Sequence, residues 1–181
     1  KKFLMNYKFL IKGIKDASGL PLIGLGLSMF TFGAYLKSYN FNLLQSFCST
    51  FFAFALPGQF VMAETIISGG NLINIFLAVL LTNARLFPMT MHIIPTLKIN
   101  KLATWKYYVL CHFVAITAWI SYTSIYKKIY YKNRYQYFLG LGGTLWAGSV
   151  LSTVLGFLFS SQLDYQLLIG LVFLNPMYFL L

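Results

Sequence analysis

The chain has 181 residues, of which 59% are hydrophobic and 9% charged, and its formal net charge is +11. Soluble globular domains carry about 25% charged residues, so this chain lacks the polar surface of a soluble enzyme or binding domain. The composition is that of an all-α, polytopic membrane protein, a helical bundle in lipid.

The chain opens with "KKFLMNYKFLIKGIKDA". Phe3, Tyr7, Leu10 and Ile14 recur at helical spacing on one side, and Lys8, Lys12 and Lys15 on another. This predicts a basic amphipathic segment over residues 1–16 that lies on a membrane surface. The bundle itself is expected over 17–181. A membrane helix needs roughly 20 predominantly apolar residues. The intervals free of charge are Ala17–Leu36, Ser38–Ala63, Thr65–Ala84, Tyr107–Tyr126, Tyr135–Leu163 and Tyr165–Leu181. They predict about six transmembrane helices near 18–36, 43–63, 71–93, 105–125, 136–160 and 165–181. The last run ends with the chain and has no polar flank, so a C-terminal truncation is expected. The first helix is too long and lacks the small-residue cleavage pattern of a signal peptide.

In the first helix Gly19, Gly26 and Gly33 recur every seven residues. The second carries a weaker set of small residues, Ser46, Ser49, Ala53 and Pro57. The fifth carries a ribbon with one small residue every fourth position: Gly140, Thr144, Gly148, Ser152 and Gly156. In lipid, apolar attraction does not distinguish protein from solvent, and small residues let helix backbones approach closely. These ribbons therefore predict tight helix packing.

The second and third helices carry interruptions. In "FALPGQFVMAE" Pro57 removes a backbone donor, and Gly58 loosens the chain beside it. In "LTNARLFPM" Pro88 follows Arg85. Backbone groups freed at membrane depth are tolerated only where protein or a wet cavity satisfies them, and discontinuous helices are how many transporters build substrate sites. Each break has polar neighbours: Gln59 and Glu64 at one, Asn83 and Arg85 at the other. Pro57, Gly58, Gln59, Glu64, Asn83 and Arg85 are therefore the candidate substrate-binding residues. Arg85 has two readings. If its helix ends at Phe87, it snorkels to the headgroups from the last turn. If it faces the bundle interior, it pairs with Glu64, with freed carbonyls or with a substrate carboxylate, because an unpaired charge at the helix centre costs about 2.5–3.5 kcal/mol or more.

The basic residues sit in short loops beside apolar runs and act as topology signals rather than a nucleic-acid footprint. With six crossings, Lys1, Lys2, Lys8, Lys12 and Lys15 share a side with Lys127, Lys128, Lys132 and Arg134, and they outnumber Lys37, Lys98, Lys101 and Lys106 opposite. The excess places the N-terminus in the cytoplasm. Cys48, Cys111, His92 and His112 are isolated within apolar runs and read as packing residues. No metal or cofactor is expected. Asp16, Glu64 and Asp164 do not cluster with the histidines, so no catalytic set is apparent. No Gly-Lys-Ser/Thr phosphate loop is present.

Several stretches, taken in order and spacing, resemble the AzlC-type branched-chain amino-acid permeases, the large subunits of two-component exporters. They are "FLIKGIKDASGLPLIGLGLSMFTFG", "FALPGQF", "LLTNARLFPMTMHIIPTLK", "GGTLWAGSVLSTVLG" and "IGLVFLNPMYFLL". The resemblance places Gln59 on the family's Gln, and Asn83 and Arg85 on its Asn-x-Arg stretch, and it favours the interior reading of Arg85. It implies secondary export of branched-chain or other small apolar amino acids across the bacterial cytoplasmic (inner) membrane, no enzyme activity, and a small AzlD-like membrane partner. Where the family often has Thr-Asp-Glu, this chain has Thr117, Ala118 and Trp119, which leaves no carboxylate for a proton relay there. Two other classes fit the composition: a scaffold or channel-like subunit without transport of its own and, more remotely, a membrane-embedded enzyme.

Overall fold

The computed structural model describes residues 7–99 and 102–160. The expected sixth helix, near 165–181, lies outside them. The described residues are helical, with no strand: α1 (Tyr7–Ala17), α2 (Leu20–Ser38), α3 (Leu43–Phe52), α4 (Leu56–Ile67), α5 (Leu72–Asn83), α6 (Leu86–Leu97), α7 (Trp105–His112), α8 (Ile116–Ile125), a 3₁₀ turn (Tyr126–Lys128) and α9 (Tyr131–Phe159). Of these residues, those up to Leu22 join Leu86–Trp146 in one compact unit, and Ile23–Arg85 join those from Ala147 onward in a second.

Two helices, α2 and α9, are long and apolar enough to cross a membrane unaided. The pairs α5/α6 and α7/α8 each qualify when taken together as one bent span. The interruption expected within 43–63 is present, and the segment is two short helices of 10 and 12 residues, α3 and α4. Pro57 is the cause. Its ring would meet the carbonyl four residues back, at Ala53, so α3 stops at Phe52, residues 53–55 are non-helical, and Pro57 occupies the first turn of α4. Pro88 acts in the same way on Ala84. The chain turns at Ala84–Arg85, and Pro88 lies in the first turn of α6. A further break at Phe113–Ala115 was not expected. It turns α7 by 110° from the segment that follows, and no Pro or Gly marks it.

Local signals set the ends of the helices in the second unit. Asn42 and Gln45 form a capping box at α3, with Gln45 Oε1 accepting from the Asn42 N–H at 2.8 Å. Asn71 Oδ1 caps α5 by accepting from the Asn74 N–H at 2.8 Å. Between α4 and α5, Gly69 takes the left-handed conformation (φ 75°), and the Gly70 N–H returns to the Thr65 carbonyl at 2.8 Å. This is the glycine-terminated helix end that only a residue without Cβ adopts freely, and it folds α5 back against α4.

The small-residue ribbons are packing surfaces. In the second unit, a Cβ on Gly33 would lie 2.0 Å from the Thr153 carbonyl oxygen, and one on Gly156 would lie 1.8 Å from that of Phe30. Here α2 and α9 cross backbone to backbone. In the first unit, Gly13 of α1 meets the Tyr137 carbonyl and Gly140 of α9 meets that of Leu10, where added Cβ atoms would sit at 2.2 and 2.3 Å. Helix α1 buries Gly13 and Ala17, while Tyr7 and Ile14 are exposed alongside its lysines. Arg134, expected in a loop, belongs to the first turns of α9, where Nε donates to the Ile129 carbonyl at 3.0 Å and the guanidinium lies 5.1 Å from the Tyr126 ring centre.

Candidate functional site

The polar centre of the second unit forms where α3 is broken from α4. Gln59, one turn into α4, is 1% exposed. Its Nε2 donates to Thr50 Oγ1 on α3 at 3.1 Å. Thr50 Oγ1 is in turn 3.0 Å from Thr153 Oγ1 on α9, and the Thr153 hydroxyl reaches the Ser149 carbonyl at 3.0 Å.

With the Gln59 amide donating to Thr50, the contacts run in one direction. A hydroxyl has one proton to donate. Thr153 gives its own to the Ser149 carbonyl, so across the Thr50–Thr153 pair Thr50 is the donor. Thr50 then accepts from Gln59. The chain of donors therefore runs from Gln59 to α9 and leaves Gln59 Oε1 at its open end. That oxygen is buried and has no hydrogen-bond partner among the described residues, and the same holds for Asn83 Oδ1 and Ser149 Oγ. A buried polar atom left unpaired costs about 1–3 kcal/mol. A site that keeps such acceptors is suited to a ligand that brings donors.

Asn83 and Gly58 belong together. A Cβ on Gly58 would fall 2.3 Å from Asn83 Nδ2 and 2.4 Å from its Oδ1. The last residue of α5 thus rests its amide on the backbone of the first turn of α4, next to Gln59. The α4 N-terminus has no side-chain cap. Pro57 has no N–H, and the first N–H groups of a helix have no intrahelical acceptor. These backbone groups lie close in sequence to Gln59, and Gly58 among them lies close in space to the Asn83 amide, while Phe54 and Leu56 are the buried apolar residues at the break.

The charged candidates take no part in this hydrogen-bonded set. Glu64 is exposed on α4, and its carboxylate accepts from the Tyr35 hydroxyl of α2. Of the partners considered for Arg85, Glu64 is not engaged: among the described residues Arg85 has no ion-pair partner. Arg85 is exposed at the Ala84–Arg85 break, and α5 ends at Asn83, so Arg85 is not in a last helical turn either. Thr50, Ser149 and Thr153 were missed from the sequence. Hydroxyl residues in apolar helices usually bond their own helix backbone, as Thr31, Thr82 and Thr144 do here, and nothing local marks the few that reach across. In the first unit, Trp119 Nε1 donates to His92 Nδ1 at 3.3 Å, and Thr96 Oγ1 lies 2.8 Å from the Tyr122 hydroxyl. Both histidine and tryptophan there act as cross-links between α6 and α8.

Apolar helices, some of them broken, with a buried, uncharged set of polar side chains define a helical membrane bundle. The chain matches the family model described as AzlC protein over residues 21–163, and it belongs to the AzlC family. This is a transporter family, and membership makes the chain a membrane protein related to the transport of branched-chain amino acids. No curated protein and no solved structure matches it at a significant level.

Proposed function

We propose that the chain exports branched-chain or other small apolar amino acids across the bacterial cytoplasmic membrane by secondary transport, with its N-terminus in the cytoplasm and a small AzlD-like membrane subunit as partner. One observation carries the choice of site: the buried Gln59 amide, committed as a donor to Thr50, with its oxygen unpartnered beside a helix break. Gln59 Oε1 and Asn83 Oδ1 accept hydrogen bonds and cannot donate them. They suit the ammonium group of an amino acid. The carboxylate is met by the free N–H groups at the start of α4, where the helix dipole is positive, and by Arg85 at the break. Phe54 and Leu56 face the aliphatic side chain. Glu64 is left to Tyr35.

The test is uptake of labelled leucine into inverted vesicles or proteoliposomes, with and without the co-expressed partner, set against leucine's 2-keto acid analogue. The analogue keeps the carboxylate and the side chain but has no ammonium. Leucine transport that excludes the analogue and is lost in Gln59→Met supports the reading. Absence of leucine transport with the partner present overturns it. Equal handling of leucine and the analogue removes the ammonium assignment alone.

A further inference from the structure

The outward face of α1 carries more cations than its packing requires. Lys8, Ile11, Lys12 and Lys15 recur at the i, i+3, i+4, i+7 spacing of one helical stripe, and all four are exposed. Among the described residues none of the three ammonium groups has an ion-pair partner. The opposite face is fastened to α9 by the Gly13–Tyr137 and Gly140–Leu10 approaches. Asp16 adds to that anchorage, accepting from the Tyr137 hydroxyl at 2.9 Å. The lysine stripe is therefore held on a docked, oriented helix. It borders a shallow concavity of about 750 Å³ lined by Lys8, Phe9, Ile11, Lys12, Lys15 and Asp16.

The mixture on this face selects the occupant. A free anion needs only the lysines. Here Ile11 is 50% exposed between them and Tyr7 is 64% exposed beside them, so the same surface offers apolar contact as well. A ligand with a negative headgroup and an attached hydrocarbon satisfies both, and in a membrane protein such a ligand is the surrounding solvent. We propose that the outer face of α1 is a binding site for an anionic phospholipid, its phosphate held by Lys8, Lys12 and Lys15 and the start of its acyl chains lying on Phe9 and Ile11. The Asp16 carboxylate is the one like charge in the concavity, and its engagement with Tyr137 turns it towards α9.

The test uses the purified full chain in neutral detergent, titrated with short-chain phosphatidylglycerol and followed by native mass spectrometry. Each lysine near an anionic lipid contributes about fivefold in affinity, so the triple variant Lys8→Gln/Lys12→Gln/Lys15→Gln is expected to bind about a hundredfold more weakly. The corresponding triple Arg variant keeps the charges and is expected to keep binding. The parent's affinity is expected to fall as salt rises, and phosphatidylcholine is expected not to compete. The proposal is overturned if the Gln variant, folded as judged by its melting profile, binds like the parent. It is equally overturned if phosphatidylcholine binds as well, or if excess inorganic phosphate displaces the lipid completely, since the site would then recognise a bare anion.

Discussion

Gly33→Ala is the substitution whose effect follows most directly from the coordinates. Its Cβ would stand 2.0 Å from the Thr153 carbonyl oxygen and 2.9 Å from the Phe157 nitrogen, against 3.4 Å for ordinary contact. Both obstacles are backbone, so no rotamer relieves them, and α2 and α9 must separate by more than an ångström. Overpacking of this kind costs about 1–3 kcal/mol, while the gain in helix propensity on replacing glycine returns at most about 1 kcal/mol. A second loss follows. The displaced residue is Thr153, whose hydroxyl oxygen lies 3.0 Å from Thr50. Opening that bond removes about 1 kcal/mol and releases the Thr50 side chain that holds Gln59. The expected total is a destabilisation of about 1–3 kcal/mol, together with reduced leucine transport. The assay is the unfolding midpoint in a denaturing-detergent titration, with Gly143→Ala as control, because a Cβ at Gly143 meets nothing within 4 Å. If Gly33→Ala unfolds at the same midpoint as Gly143→Ala, the backbone crossing does not hold α2 to α9 and the reasoning fails.

Gly58→Ala drives a methyl into the Asn83 amide. It is expected to fold, because α4 gains helix propensity, but to raise the leucine KM at least tenfold; an unchanged KM would separate Asn83 from the substrate site. Arg85→Lys keeps the charge but loses the planar fork that grips a carboxylate, so expression should equal the parent's while transport falls to a small fraction; parental transport would mark Arg85 as a surface anchor. With Cys48 and Cys111 replaced, a single cysteine at Asn40 is expected to react with an impermeant reagent added outside intact cells, and one at Lys128 is not. The opposite labelling pattern would invert the proposed topology.

The sequence by itself determined the solvent and the class of fold. A chain this apolar cannot present a soluble surface, and two of the apolar runs without proline in their interiors became the two long helices, α2 and α9. It also determined that 43–63 and 71–93 would be interrupted, since proline removes a donor wherever it sits. The place of each break needed one more step of stereochemistry. The ring clashes with the carbonyl four residues earlier, so the chain opens at 53–55 and at Ala84–Arg85 rather than at the prolines themselves. Glycine spacing announced close packing, but not the partners: Gly33 on Thr153 and Gly140 on Leu10 depend on how the helices cross.

Tertiary structure alone decided the rest. The bend at Phe113–Ala115 has no local breaker. Phe113 packs on Gly142, where an added Cβ would come within 2.8 Å of the phenylalanine Cβ, and a contact across 29 positions leaves no trace in either neighbourhood. The polar centre has the same origin. Gln59 and Asn83 stood out as amides in apolar runs, whereas Thr50 and Thr153 looked like any hydroxyl able to bond its own helix. Their pairing joins residues 103 apart in the chain. Glu64 found its partner in Tyr35, a residue on another helix. A single chain specifies which groups must find partners, because lipid offers none; which partner each group finds is fixed only when the helices are in place.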